Sequence, residues 1–265
     1  MNDMAHHTAL VTGATGAIGK AIARQLAAQP GYAVVLACRD EAKAQQAVAE
    51  IKRTTGNSNV RYELVDVSRC ASIQSLAERW CSPLHILVNN AAAAPRQRRE
   101  TPEGIELQLA TNVLGYFWMT QLLGEHLRRS APARVIEVAS YWAGDLDLSD
   151  LEFRRRRYDN GTAYRQSKQA NRMLAVAWAA RLKDIGVTVN ACHPGDVNSR
   201  LSNDLGFGGH TAPDDGADTP VWLAVNPAVQ GETGKYFEQR RAVRCRFGED
   251  RAAVEALYEA CRAWA

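Results

Sequence analysis

Long apolar runs, paired metal-ligand motifs and a marked charge excess are all missing from this sequence. No uninterrupted run of about 18 apolar residues occurs, so no membrane span is expected. The formal net charge is only +3, which argues against nucleic-acid binding because such proteins carry a strongly basic stripe. The six cysteines form no C-x-x-C pair and no histidine has zinc-ligand spacing. We therefore expect reduced thiols, no metal site and a cytoplasmic location.

Nothing in the composition points away from an ordinary folded protein. Hydrophobic residues make up 46% and charged residues 23% of the 265 residues, values that exclude disordered and fibrous classes. A chain of this length buries roughly 75% of its unfolded surface and needs no disulfide or metal to fold. No internal repeat or long linker interrupts it, so we expect a single domain over residues 1–265.

Short apolar segments alternate with longer segments of helical spacing. Ile18, Ile22 and Leu26, for example, follow one another at intervals of four residues, which is typical of one helix face. Strands are predicted at 8–12, 32–37, 60–65, 84–88, 134–138, 187–191 and 234–238. Helices are predicted at 17–29, 41–55, 71–80, 104–129, 162–184, 214–225 and 249–264. This order predicts an α/β fold with a single Rossmann-type, doubly wound, mostly parallel seven-stranded sheet and helices on both faces.

Two segments depart from that alternation. The stretch after Cys192 is rich in Gly, Asp and Asn, and a loop of such length in a compact domain is usually functional. We predict a substrate lid at about 196–220 and an insert at about 141–160. Leu201, Leu205 and Phe207 would make the lid apolar and favour a hydrophobic substrate.

A glycine-rich turn joins the first predicted strand to the first helix. Its sequence is Thr12-Gly13-Ala14-Thr15-Gly16-Ala17-Ile18-Gly19. A helix N-terminus offers unpaired N–H groups and a partial positive charge, so it binds a pyrophosphate. Glycine is needed where the backbone turns sharply or approaches the phosphates. The turn therefore predicts a dinucleotide site, the alternative being an ordinary tight turn.

The residue that follows the second strand indicates which dinucleotide binds. An NAD site usually has an acidic residue there, on the adenosine ribose. This sequence has Cys38 and then Arg39, and a guanidinium pairs with a 2′-phosphate. We predict NADP(H). The alternative is that Arg39 is a solvated surface residue. The neighbouring Asp40 argues against NADP(H), because a carboxylate repels a 2′-phosphate.

Tyr164 and Lys168 stand four residues apart on one predicted helix, and this spacing places them on the same face. A nearby ammonium favours the phenolate, so such a tyrosine can act as a general acid or base towards a carbonyl or alcohol oxygen. Ser140, Asn89-Asn90-Ala91-Ala92 and His193-Pro194-Gly195 follow the fifth, fourth and sixth strands. Ligands of open parallel sheets bind at these strand ends.

With these motifs the sequence resembles the short-chain dehydrogenase/reductase family, from Thr8 to about Trp264. The resemblance implies that Tyr164 is the catalytic acid/base and that Lys168 binds the nicotinamide ribose and lowers the tyrosine pKa. It further implies that Ser140 hydrogen-bonds the reacting oxygen and that Asn112 supports a water in a proton relay.

The resemblance also implies further cofactor contacts. Asp66 and Val67 would contact the adenine, and Asn89 and Ala91 would line the cofactor cleft. The remaining contacts, near the nicotinamide, would come from Pro194, Gly195, Val197 and Ser199. The turn departs from the usual family pattern because Ala17 follows Gly16, and Ala92 replaces a glycine. The segment Leu36-Ala37-Cys38-Arg39-Asp40 and the motif Thr111-Asn112-Val113 are most similar to the retinol dehydrogenase and WW-domain oxidoreductase branch.

The leading functional hypothesis is an NADP(H)-dependent oxidoreductase. It would transfer a hydride between nicotinamide and a carbonyl or alcohol of a hydrophobic substrate. One alternative is a carrier-linked 3-oxoacyl-thioester reductase, suggested by Arg96, Arg98 and Arg99. A second is a non-catalytic NADP(H) sensor.

Family members often pair through two helices, which here are predicted at 104–129 and 162–184. A homodimer or homotetramer is therefore expected, although Met173, Leu174 and Trp178 on the second helix fit core packing equally well. The run 154–157 of four arginines is interpreted as a solvated face, with docking of an acidic partner as the alternative. Tyr158 is interpreted as a surface residue, and Tyr141 as either pocket wall or core.

Overall fold

The computed structural model describes residues 7–264. Within them the strands form one sheet of eight strands in the order β3-β2-β1-β4-β5-β6-β7-β8. The strands are β1 His7–Thr12, β2 Tyr32–Cys38, β3 Val60–Leu64, β4 Ile86–Asn89, β5 Ala133–Val138, β6 Val187–His193, β7 Tyr236–Glu238 and β8 Arg241–Val243. Neighbouring strands are parallel from β3 to β7, and only β8 runs antiparallel to its neighbour.

Helices cover both faces of the sheet. They are α1 Ala17–Ala27, α2 Glu41–Thr55, α3 Cys70–Arg79, α4 Gly115–Leu122, α5 Gly124–Arg129, α6 Asn160–Leu182, α7 Arg200–Asp204, α8 Pro213–Val225 and α9 Arg251–Arg262, with a π-helical turn at Leu109–Leu114. Two apolar clusters, one on each face, form the core. The predicted doubly wound Rossmann-type fold is therefore confirmed. No helix within residues 7–264 is long and apolar enough to cross a bilayer.

The prediction of seven strands was wrong by one. A two-residue turn, Gln239-Arg240, connects β7 to β8, and both residues have positive φ, 47° and 62°. Hairpin turns of this kind are usually built from Asn-Gly or Asp-Gly. Because neither residue is a turn former, the sequence carried no signal for β8.

The helix predicted at 104–129 is broken into pieces. Residues 104–106 are not helical, and Leu123 (φ −91°, ψ 1°) separates α4 from α5. The buried Glu106 carboxylate accepts the N–H groups of Gln108 and Leu109, at 2.9 and 2.7 Å. A side chain therefore satisfies the first N–H groups of the π-helical turn, as in a helix cap.

The segment predicted as a lid is irregular over only part of its length, because α8 begins at Pro213, and its role as a lid remains a prediction. Within α8, Gly216 and Ala217 are buried, and a Cβ at Gly216 would lie 2.3 Å from the Val197 side chain. The irregular part of this segment thus runs from about 196 to 212 and contains the short α7.

The arginine run is folded around a buried carboxylate rather than simply solvated. Asp150 accepts the backbone N–H groups of Arg154, Arg155 and Arg156, and the N–H of Arg156 in particular lowers the pKa of this carboxyl. The surface interpretation of Tyr158 was also wrong. Its half-buried hydroxyl donates to the Pro95 carbonyl at 2.8 Å and accepts from the side chain of Gln108.

The apolar face of α6 is covered by α9. Phe117, Trp178 and Tyr258 form an aromatic cluster, with ring centroids 5.0 to 5.2 Å apart. Met173, Leu174 and Trp178 are all buried by the chain itself. The apolarity of this face is thus explained by packing within one chain, and the oligomeric state remains a prediction.

Candidate active site

The carboxyl ends of β1, β4, β5 and β6 lie side by side in the sheet, and the predicted site residues follow them. Thr12, the last residue of β1, joins two of these ends. Its hydroxyl accepts the N–H groups of Asn90 and Ala91 at 2.8 and 3.0 Å, and its carbonyl accepts the Asn90 side-chain amide at 2.9 Å. The glycine turn after β1 is therefore fixed against the loop after β4.

Tyr164 lies near the start of α6, which Asp159 caps by accepting the Thr162 N–H at 2.7 Å. The phenol is buried beside the Ser140 hydroxyl. Burial raises the pKa of Tyr164 to about 12, while the hydrogen bond from Ser140 works in the opposite direction. Ser140 Oγ also accepts the Trp142 N–H at 3.1 Å, which fixes its position.

Lys168 is buried one turn further along α6. Its Nζ donates to the Val138 carbonyl at 2.8 Å and lies 5.6 Å from the centroid of the Tyr164 ring. Burial lowers the pKa of Lys168, against the pull of the Glu137 carboxylate. The lysine was expected to lower the pKa of Tyr164, yet in this structure that pKa is raised. The reason is that burial removes water from the phenol and so disfavours its charged form, and the effect of the lysine on the tyrosine remains a prediction.

Glu137 is a buried acid that the sequence analysis missed. It lies on β5 and is 1% exposed. Its Oε1 accepts from Asn89 Nδ2 at 3.1 Å, and its Oε2 has no hydrogen-bond partner in the described chain. Burial raises the pKa of Glu137, whereas Asn89 and Lys168 both favour its ionised form. An acid within the apolar strand Arg134-Val135-Ile136-Glu137-Val138 was the available signal.

Asn89 itself points into the core and not into a cleft. It is fully buried, and its amide also donates to the Thr120 hydroxyl at 3.2 Å and weakly to the Tyr116 carbonyl. Together with Glu137, it forms a buried polar cluster below Lys168.

Asn112 lies in the π-helical turn and is fixed by hydrogen bonds to the loop after β4 and to α6. Its side chain accepts the Ala93 N–H at 2.8 Å and donates to the Ala93 carbonyl at 2.9 Å. The amide also donates to Ser167 Oγ at 3.2 Å. The Asn112 carbonyl accepts from Asn171 Nδ2 at 2.7 Å. These bonds connect the loop after β4 to α6, and the water relay remains a prediction.

The glycine turn fits a pyrophosphate. Gly16, the N-cap of α1, is exposed and no side chain caps the helix. The N–H groups of Ala17, Ile18 and Gly19 have no acceptor within residues 7–264. A Cβ at Gly19 would lie 2.4 Å from the Gly13 carbonyl oxygen, so the turn can pack this tightly only with glycine there. Free N–H groups at a helix N-terminus are the donors that a pyrophosphate requires.

Gly13 allows the closest approach between the turn and the loop after β4. It has φ +64°, and a Cβ there would lie 2.8 Å from the Ala91 Cα. Thr15 is half-buried next to this turn and contributes a side-chain hydrogen bond to Cys38. Arg39, at the end of β2, is exposed.

The other predicted cofactor residues lie at the edges of the same strand ends. Asp66 Oδ1 accepts the N–H and hydroxyl of Ser68, at 3.0 and 2.7 Å. Val67 is buried, and its carbonyl lies 2.5 Å from where a Cβ at Gly115 would be. The residues after β6 form a turn that leads into α7: Pro194 half-buried, Gly195 with φ +97°, Val197 buried and Ser199 as the N-cap of α7.

Aromatic side chains surround Tyr164 on the solvent side. The Trp142 ring lies 5.9 Å from the Tyr164 ring and 6.2 Å from that of Phe207. Phe207 is 50% exposed and lies in the segment predicted as a lid. Tyr141 packs edge-on against His193 at 4.6 Å. Tyr141 is 51% exposed and donates to Asp196 at 3.2 Å, so it belongs to the wall of the site and not to the core.

Comparison with known proteins agrees with this arrangement. A family model described as short chain dehydrogenase matches residues 7–206. Retinol dehydrogenase 13 of Mus musculus is 37% identical over 254 residues, covering 88% of this chain and 76% of that protein. Retinol dehydrogenase 12 of Homo sapiens is 38% identical over 248 residues, covering 86% and 76%.

A crystal structure of an uncharacterized protein from Mycobacterium paratuberculosis superposes with a TM-score of 0.81 at 29% identity. The match covers 98% of this chain and 93% of the other. The chain therefore belongs to the short-chain dehydrogenase/reductase family, and within it to the retinol dehydrogenase branch.

Proposed function

We propose that this oxidoreductase is NADP(H)-dependent and transfers a hydride between nicotinamide and the carbonyl or alcohol carbon of a hydrophobic substrate. The proposal depends mainly on one observation, the buried Tyr164 phenol beside the Ser140 hydroxyl with Lys168 one helical turn away. These groups lie at the same sheet edge as a glycine turn that fits a pyrophosphate.

Each residue has a distinct part in the reduction of a carbonyl. Tyr164 donates its phenolic proton to the carbonyl oxygen, and the Ser140 hydroxyl hydrogen-bonds the same oxygen as negative charge develops there. Lys168, held by the Val138 carbonyl, favours the tyrosinate once the proton has left. The bound cofactor supplies the hydride at its nicotinamide C4.

The environment of Arg39 supports NADP(H) over NAD(H). Asp40 accepts the Lys43 N–H at 3.0 Å and pairs with the Lys43 ammonium at 3.3 Å, as the N-cap of α2. Its carboxylate is thus engaged by the helix, while Arg39 is exposed and has no acidic partner within residues 7–264. We expect Arg39→Ala to weaken NADPH binding at least tenfold and to leave NADH binding unchanged, as measured by fluorescence titration.

The substrate side is apolar, which supports a hydrophobic carbonyl or alcohol. Trp142 packs beside Tyr164, Phe207 packs against Trp142, and the proposed lid adds Leu201 and Leu205. The related proteins named retinol dehydrogenase carry the name of a hydrophobic alcohol. The carrier-linked alternative gains little from the structure, because Arg98 pairs with Glu100 and donates to the Glu152 carbonyl.

The decisive experiment replaces the phenol. Tyr164→Phe should reduce NADPH-dependent turnover of medium-chain aldehydes at least a hundredfold, because the proton donor is lost, and should leave NADPH binding intact. Tyr158→Phe is the matched control, since it removes a half-buried phenol outside the site. Retained turnover in Tyr164→Phe would refute the mechanism. Tight NADPH binding without turnover of any carbonyl by the unmodified protein would favour the sensor alternative.

A further inference from the structure

An open groove of about 520 Å³ adjoins the candidate active site. It is lined by Tyr141, Ala143, Arg172, Arg244, Arg246 and Phe247. Tyr141 directly follows Ser140 in the chain, so the groove begins next to the reacting centre. The lining thus combines an apolar surface with three guanidinium groups and contains no carboxylate.

Arg172 is the unusual member of this set because it is nine-tenths buried. Its guanidinium carbon lies 3.4 Å from the centre of the Tyr236 ring and 5.6 Å from that of Phe247, so the rings hold it in place. Among residues 7–264 its one salt-bridge partner is Glu238, and the pair is loose, with 3.6 Å between Arg172 Nη2 and Glu238 Oε1. Its Nε has no hydrogen-bond partner in residues 7–264, and an unsatisfied buried donor is costly.

The guanidinium groups around the groove are not all paired with acids. Glu249 engages Arg244 with both oxygens, at 2.6 and 2.8 Å, and Glu238 partly balances Arg172. Arg246 stacks on Phe247 at 5.0 Å and has no acidic partner in the described chain. Asp196 accepts from the groove residue Tyr141 and is the third acid at this edge, so the site is not strongly basic. The donors left to bind an anion are those of the unpaired Arg246 and of the loosely paired Arg172.

The position of Arg172 sets the length of that ligand. Tyr164 and Arg172 are eight residues apart on α6, which corresponds to about 12 Å along the helix and about a quarter turn around it. A molecule with its carbonyl at Tyr164 would therefore place an anionic group at Arg172 only if the two ends were separated by a medium-length apolar chain.

Resting on the proposed function, we propose that the natural substrate is an amphipathic carbonyl or alcohol whose carboxylate binds Arg172, with Arg246 assisting at the rim. A guanidinium is always charged and carries several N–H donors that a carboxylate accepts, and Arg172 presents this group to the groove. The apolar middle of the substrate lies along Tyr141 and Phe247.

The test compares 10-oxodecanoate with its methyl ester, which has the same chain without the charge. In the unmodified protein loaded with NADP⁺, so that no reduction occurs, we expect the acid to bind about tenfold to a hundredfold tighter than the ester. Arg172→Met should abolish this difference, and Arg246→Met, at the exposed rim, should reduce it about twofold to fivefold. Arg99→Met, an exposed arginine outside the groove, is the matched control and should change nothing.

Turnover of the two compounds with NADPH separates the two proposals. Reduction of the ester by the unmodified protein and by Arg172→Met shows that the fold and the reaction are intact. Equal binding of acid and ester by the unmodified protein would overturn the carboxylate site and leave the oxidoreductase function standing. A preference for the acid that survives in both Arg172→Met and Arg246→Met would equally overturn it. Tighter binding of the acid with no turnover of either compound would instead contradict the proposed function.

Discussion

Glu137→Gln tests how the active-site lysine keeps its proton. The substitution replaces the buried carboxyl that can carry a negative charge near Lys168 with an uncharged side chain of nearly the same shape, whose amide oxygen still accepts from Asn89. Burial lowers the pKa of Lys168, and the Glu137 carboxylate opposes that fall. Without the carboxylate, the lysine should lose its proton at lower pH.

The magnitude follows from the charges that surround Lys168. A charge partner within about 4–6 Å moves a pKa by about one to three units. Because the Val138 carbonyl keeps its hydrogen bond to the ammonium, we take the lower end of that range. The other groups near Lys168 are Tyr116, Tyr164 and Cys192, and they are the same in both proteins. The high-pH limb of the rate profile should therefore move down by about one pH unit, because the protonated lysine is the active form.

The assay is kcat/KM for carbonyl reduction between pH 5.5 and 9.5, with NADPH saturating. Glu106→Gln is the matched control, since it makes the same change at a buried carboxyl that caps the π-helical turn. This control should leave the position of the limb unchanged. A limb in Glu137→Gln that stays at the wild-type pH, whatever happens to the maximal rate, would refute a role for Glu137 in holding the proton on Lys168.

Three further outcomes are expected. Gly19→Ala should lower the melting temperature and weaken NADPH binding, because its Cβ would lie 2.4 Å from the Gly13 carbonyl oxygen and such overpacking costs about 1–3 kcal/mol. The control Gly124→Ala has no atom within 4 Å of the new Cβ and should change neither property. Burial raises the pKa of Glu106 from 4.5 to about 6, so this group contributes stability below pH 4.5 that is lost as the pH rises through 6. In Glu106→Gln, the difference between the free energies of unfolding at pH 4.5 and pH 7.5 should therefore shrink by about 2 kcal/mol, as measured by urea unfolding. Phe207→Ala should raise KM for a long-chain aldehyde about twofold to tenfold, since an aromatic pair is worth about 0.5–1.5 kcal/mol, while the dissociation constant for NADPH stays the same.

The fold could be predicted because the strands and helices that form its core have recognisable local sequence patterns. The parallel core strands are short apolar runs, and α1 shows its buried face at helical intervals. Glycine and proline mark most of the ends, as Gly56 does where α2 stops in a left-handed residue. These signals agree with one another, so the order of the elements and the crossover rule were enough to give the sheet.

The errors arose where tertiary contacts overrule local preference. Residues 104–129 have helical periodicity, yet the Glu106 carboxylate and the π-helical turn reshape the first part of the segment. The positive φ values of Gln239 and Arg240 are imposed by the hairpin and not favoured by either residue.

The residues of the candidate site could be predicted from the sequence, whereas their charge states could not. Tyr164, Lys168 and Ser140 are recognisable because their spacing along helix and strand ends has a chemical meaning. The charge state of Lys168 depends instead on Glu137, 31 positions earlier in the chain, and on how deeply both are buried. The four-residue spacing of Tyr164 and Lys168 does not show how deeply the pair is buried, so the direction of the Tyr164 pKa could not be predicted from the motif.

The position of α9 has a consequence for the reaction itself. Its Tyr258 packs against Trp178 and under the Arg181 guanidinium, whose carbon lies 3.5 Å from the ring centre. Both Trp178 and Arg181 belong to the helix that carries the proton donor. Helix α9 thus stabilises the position of α6, which carries Tyr164 much earlier in the chain. A substitution that weakens the packing of α9 against α6 would lower activity by tilting α6, without altering any residue that contacts the substrate.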